Sequence, residues 1–226
     1  MPAQRLDSQS PTDLPKYSII ACYSDDTSAF VQHVAILREK ASVKFGDRVP
    51  VFHAAPPIVA GGQTDADVPA HVGAYLEDLS LDEMNGIATA LARIDESTPK
   101  MSGQSAWKQY VALPSRKSVR DKRSGKKKYQ RFSCSGFVEE CYEQAGILLV
   151  TADSARMPDV PLSLILTAYP DASRDRLRKW IGLDGSGPWP VTMAGYIVNS
   201  LDRDSVDVRN SAYEPESIDD AYFPSL

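Results

Sequence analysis

Apolar residues near the start of the chain come in short dense runs divided by polar turns. Tyr17 to Tyr23, Phe30 to Leu37 and Val49 to Ala55 are each seven or eight residues long and rich in Ile, Val and aromatic side chains. Runs of that length and make-up predict three strands. Asp25, Asp26 and Ser28 read as the turn between the first two. Arg38 to Arg48, with Gly46 and Asp47, reads as a connection. Pro50 points to an edge or a strand start, and Pro56-Pro57 with Gly61-Gly62 closes the third run. Residues 1–15 hold Gln, Ser, Asp and Pro with little to bury, and are expected to be disordered.

The pattern then changes from dense runs to a helical period of about 3.6. Ser80 followed by Glu83 fits a capping box. Met84, Ile87, Ala88, Leu91 and Ile94 continue at helical spacing, and the Pro99 to Gly103 stretch ends that helix. Trp107 to Leu113 is a further strand candidate. A second helix is predicted from Cys134 to Ala145, with Cys134, Phe137, Val138, Cys141, Tyr142 and Ala145 on its apolar face and Gly146 just past its end. The last third predicts helices over Leu162 to Tyr169, Asp171 to Ile181, and Pro190 to Leu201, with Pro190 in a first turn. From Asp202 onward the chain is polar and acidic and reads as a loosely held tail. The resulting division is 1–15 disordered, 16–150 core, 151–201 helical extension and 202–226 tail.

Composition narrows the class without naming an activity. At 226 residues and 42% apolar, the chain can bury a core without a disulfide framework. No stretch reaches the roughly 20 apolar residues of a membrane span, and no apolar signal core precedes Pro15. The expected location is therefore cytoplasmic, or exported without a cleavable signal peptide. Three cysteines without a CxxC argue against a zinc ribbon and for reducing surroundings. The net charge of −5 conceals a strong asymmetry. Arg116 to Arg131 holds nine Lys or Arg and one acid, a net of +8, leaving 16 basic and 29 acidic residues elsewhere, −13. That segment is either a solvated loop or the place where an anionic partner or surface docks. Nothing in it forms a specific nucleic-acid motif.

Phosphate-binding glycine loops, HExxH and GxSxG are all missing from the sequence. The chemistry concentrates at Cys134, placed at a helix start behind a run of positive charge. Helix N–H groups and nearby cations both favour thiolate, and the same N–H groups can hold an oxyanion. Ser133, Ser135 and Gly136 around the thiol, and Lys126, Lys127 and Lys128 ahead of it, are candidate substrate-binding residues. A nucleophilic Cys needs a base. The three histidines, His33, His53 and His71, all precede it. In a hairpin centred on Val43, His33 and His53 are directly opposed, so one imidazole can face the thiol while the other orients it. His71 is the second choice as base. A zinc site of His33, His53 and Cys134 is the weaker reading, because no close ligand pair supports it. Structural roles for all three, in a non-catalytic binding module, stay open.

Cys134-Ser135-Gly136-Phe137-Val138, followed by Tyr142, Gly146, Ile147 and Leu148, resembles the nucleophile helix of the NlpC-like branch of the papain superfamily. No His follows that helix, so the resemblance is to circularly permuted members. These include the lecithin retinol acyltransferase-like enzymes and bacterial permuted papain-fold amidases. His33-Val34-Ala35-Ile36 is similar to their histidine strand, and Val51 to Pro57, containing His53, to their second polar strand. The match spans about residues 17–150. Ser133 stands where Asp is frequent, Ala35 where Gly is usual, and the last third has no counterpart.

The resemblance implies an α+β, papain-like (permuted NlpC-type) antiparallel sheet packed against the nucleophile helix, with a helical C-terminal extension. It also implies a cysteine hydrolase of amidase or peptidase type, acting on a peptide, peptidoglycan stem or acyl amide through a thioacyl intermediate. Cys134 would be nucleophile, His33 base and His53 the orienting third member, with no cofactor. A lipid acyltransferase or thioesterase on the same residues is the alternative.

Overall fold

The computed structural model describes residues 3–23, 30–53, 67–97, 116–120, 127–132, 134–151, 153–168 and 189–222. Its centre is a six-stranded antiparallel sheet ordered β1 (Ala3–Arg5), β8 (Val72–Ala74), β3 (Ile19–Tyr23), β4 (Val31–Leu37), β6 (Arg48–Phe52) and β7 (Asp67–Pro69). β3 and β4 pair with Ile19 opposite Ile36 and Cys22 opposite His33. β4 and β6 pair with Ile36 opposite Phe52 and Leu37 opposite Val51.

Both faces of this sheet are covered. Ile19, Ala21, Val34 and Ile36 join the larger core with the helices, whereas Ile20, Cys22, Ala35 and Leu37 join a second core. That second core is closed by a two-stranded ladder of β2 (Thr12–Leu14) and β5 (Ala41–Val43), which supplies Leu14 and Val43. Covering on both sides is why β3 is buried at every position and its sequence shows no alternation.

Helix α1 (Leu81–Ser97) starts at the expected capping box: the Glu83 N–H donates to Ser80 Oγ at 3.2 Å and the Ser80 N–H to Glu83 Oε2 at 2.7 Å. Helix α2 (Cys134–Glu143) packs on β4 and on α1. It ends at Gly146, whose φ of +81° is the left-handed C′ conformation that glycine adopts without strain. Ahead of α2, β9 (Arg116–Arg120) and β10 (Lys127–Phe132) form an antiparallel ladder whose backbone lies against α1 and α2. The C-terminal third adds α3 (Leu162–Ala168), α4 (Ala194–Leu201) and α5 (Ser205–Asn210), with α3 and α4 packed on β4.

Four expectations are revised. Residues 3–5 and 12–14 are strands: Ala3, Leu6 and Leu14 are few, but each is buried and each anchors its segment. The Arg38 to Arg48 connection contains β5. Trp189 and Pro190 form a short ladder, β12 (Trp189–Pro190), with β11 (Asp159–Val160), so the last long helix starts at Ala194. The acidic tail is docked: Asn199 Nδ2 donates to the carbonyls of Asp220 (2.8 Å) and Tyr222 (3.2 Å), and Tyr222 packs edge-on against Phe30 with ring centroids 5.2 Å apart. The strand expected over Trp107 to Leu113 and the helix over Asp171 to Ile181 lie outside the described residues. Among the described residues no helix is long and apolar enough to cross a membrane.

Candidate functional site

β10 ends at Phe132 and α2 begins at Cys134, so the thiol sits on the first residue of the helix. The helix runs against the centre of the sheet, which brings Cys134 to β4. There the backbone N–H groups of Val34, Ser135 and Cys134 itself all meet the sulfur. Along β4, alternate N–H groups point to opposite neighbours. Leu37 donates towards β3, to Ser18, and Arg38 towards β6, to Pro50. By the same alternation Val34 points its N–H to the β6 side. The regular pairing of β4 with β6 stops at Ile36 and Phe52, which leaves that N–H to the sulfur.

The adjacent residue on β4 is His33, which shares the second-core face with its strand partner Cys22 and with Ala35. Val34 packs with Cys134 on the helix side, so the His33 ring and the helix approach β4 from opposite faces. His53 directly follows β6, on the strand beside His33. Their imidazoles meet, with His33 Nε2 3.2 Å from His53 Nδ1, ring centroids 5.3 Å apart and planes at 82°. The register differs from direct opposition. Continued by one pair, the observed ladder sets His53 opposite Ala35, so the two histidines are diagonal neighbours on one face. A slip of two residues preserves the face, which is why the rings still touch.

The tautomer of this pair turns on which ring nitrogen donates between them. His53 Nε2 is buried and has no hydrogen-bond partner, while its Nδ1 faces His33. If His33 Nε2–H donates to His53 Nδ1, His53 carries its proton on Nε2 and His33 Nδ1 keeps a free lone pair. Only this tautomer leaves His33 able to accept a proton.

Burial decides the resting charges. It pushes His33 down to about 3, assisted by the neighbouring His53, and it lowers His53 as well. Cys134 is only 8% exposed, and its thiol is raised above the ordinary 9.0 because desolvation outweighs the three N–H groups that favour thiolate. The expectation of a thiolate stabilised by the helix start is corrected accordingly: the N–H groups are in place, but the sulfur is too deeply buried for them to prevail. At neutral pH the thiol and both imidazoles are neutral.

The remaining sequence candidates separate. Ser135, expected at the substrate, turns its hydroxyl to the Thr192 carbonyl at 2.8 Å and is buried. Gly136 lies buried in the first turn of α2. Lys127 and Lys128 lie on β10, and Ser133 and Lys126 fall outside the described residues. His71 is beside β8, on the far side of β3 from β4. Its Nδ1 accepts the Tyr23 N–H at 2.9 Å and its ring stacks on Phe45 at 4.7 Å, so that nitrogen is committed to holding the strand end. Among the described residues no group of three His, Cys, Asp or Glu is disposed to hold a metal ion.

Sequence reasoning missed two neighbours. Cys22 is the strand partner of His33, and its thiol donates to the Pro69 carbonyl at 2.8 Å. Burial and then the nearby Cys134 push it up to about 12. The β3–β4 register alone would have found it. Val34 contributes only its backbone, which no side-chain pattern can reveal.

No protein-family model, curated protein or solved structure matches this chain. What the site can do therefore follows from its own atoms.

Proposed function

We propose that the chain is a cysteine hydrolase with a permuted papain-like arrangement, cleaving an amide bond through a thioacyl-enzyme. The observation that supports this reading is the His33–His53 pair, 3.2 Å apart between Nε2 and Nδ1, with His33 next to Val34, the β4 residue whose N–H faces Cys134 Sγ. The thiol proton passes to His33 Nδ1 as sulfur attacks the carbonyl carbon. The imidazolium so formed is stabilised through its Nε2–H by the lone pair of His53 Nδ1, the orienting role that a third member serves. The N–H groups now facing sulfur are positioned to receive the oxyanion. Collapse expels the amine, which takes the proton from His33. Water then gives a proton back to His33, attacks the thioester carbonyl and releases the acid, and the proton returns to sulfur.

A neutral resting pair suits this sequence, because the proton moves only when substrate arrives. The test is hydrolysis of a panel of acyl anilides and activated esters. Wild-type protein is expected to turn over at least one, and Cys134→Ala and His33→Ala are each expected to abolish it. Turnover that survives Cys134→Ala overturns the reading.

A further inference from the structure

The ladder that leads into the nucleophile is built against its own electrostatics. In its register Lys127 lies opposite Arg120 and Arg131 opposite Lys117, two like-charge pairs across adjacent strands. Directly opposed like charges destabilise a ladder. The two strands together carry Arg116, Lys117, Arg120, Lys127, Lys128 and Arg131 and no acid. Helix α2, which they flank, offers Glu139, Glu140 and Glu143, and Glu140 already binds Arg93. Even with all three glutamates set against them, the strands keep an excess of three positive charges. Arg131 is three residues from Cys134 in the chain, within the strand that leads to it. Concentrated charge beside a reactive group raises the local concentration of oppositely charged solutes.

We infer that the β9–β10 ladder selects the substrate: an amide bearing an anionic group, carboxylate or phosphate, near the scissile bond. This rests on Cys134 being the nucleophile, and the test separates the two claims. Alkylation of Cys134 by iodoacetate and by iodoacetamide is compared on the full chain, with 2-mercaptoethanol as the reference thiol and the modified residue located by peptide mass. Each reagent forms an S–C bond and expels iodide while the thiol loses its proton. The ratio of the two rates therefore cancels the intrinsic reactivity of the sulfur and reads only the effect of charge.

The ratio is expected to exceed the reference by about tenfold in 20 mM buffer. It should fall towards the reference in 0.5 M NaCl, where the Debye length drops to roughly 4–5 Å. The double variant Lys117→Gln/Arg131→Gln should lose most of the preference. Because it removes one opposed pair, it should also melt no lower than wild type. Competition at equal ionic strength then names the group: glutarate suppressing iodoacetate more than inorganic phosphate does indicates a carboxylate, and the reverse indicates a phosphate.

A ratio equal to the reference, or one unmoved by the double variant, overturns the inference while leaving the nucleophile intact. Binding to phosphatidylglycerol vesicles without any preference for iodoacetate overturns it in favour of a membrane contact. Failure of both reagents to label Cys134 removes the hydrolase reading and this one with it.

Discussion

The resting proton inventory of Cys134, His33 and His53 sets how this site responds to pH. His33 is held at about 3 against an ordinary 6.5. The unfolded chain takes up a proton near 6.5 that the folded chain refuses until about 3. Stability is therefore present above the ordinary value and is lost as pH falls through that window, at up to about 1.4 kcal/mol per pH unit for one proton. His33→Gln is expected to flatten the slope of unfolding free energy between pH 6 and 4 by roughly that amount in urea titrations. An unchanged slope would mean that the ring is not desolvated. The raised thiol gives a second expectation. The rate of iodoacetamide alkylation at Cys134 should still be climbing at pH 9, whereas a plateau below pH 8 would indicate a preformed thiolate–imidazolium pair.

Elements carry these groups into place, and some of that placement was legible in the sequence. The capping box at Ser80 and Glu83, the glycine at 146 and the spacing of Phe137, Val138, Cys141 and Tyr142 are local signals, and the two helices they bound are present. β3 and β4 were legible from dense apolar runs. The β4–β6 register was not, because β5 occupies the span assumed to be plain connection and shifts the pairing by two. Nor was the brace on the nucleophile helix. Ser135 Oγ to the Thr192 carbonyl joins positions 57 apart in the chain, with no pattern to announce it. Ser135→Ala should cost about 1 kcal/mol in denaturant unfolding and loosen the first turn of α2. Tyr142 makes a similar long-range tie, its hydroxyl donating to the Tyr17 carbonyl at 2.7 Å, where Tyr17 adopts a φ of +70°. Tyr142→Phe leaves that buried carbonyl without its donor and should cost about 1–3 kcal/mol.

At the scale of the whole molecule, the C-terminal third clasps the sheet that bears the histidines. Gly195 lies so close to the tail that a Cβ there would stand 2.1 Å from the Ala221 carbonyl oxygen, a backbone clash that no rotamer relieves. Gly195→Ala is expected to lower stability by about 3 kcal/mol and to release Tyr222 from Phe30, at the entrance to β4. Composition hid this clasp because its apolar anchors, Ala221 and Tyr222, are lone residues in a polar stretch. Asp219 and Asp220 look like solvated tail, yet they form a turn capped at Ser217, and Asn199 binds the Asp220 carbonyl.

The central claim, that His33 draws the proton from Cys134 under the control of His53, is tested most directly by single-turnover acylation with a p-nitrophenyl ester followed by intact and peptide mass. One acyl group is expected, on Cys134, absent in His33→Ala and formed about 10- to 100-fold more slowly in His53→Ala. Acylation at Cys22 or Cys141, or an undiminished rate on Cys134 in His33→Ala, would contradict it.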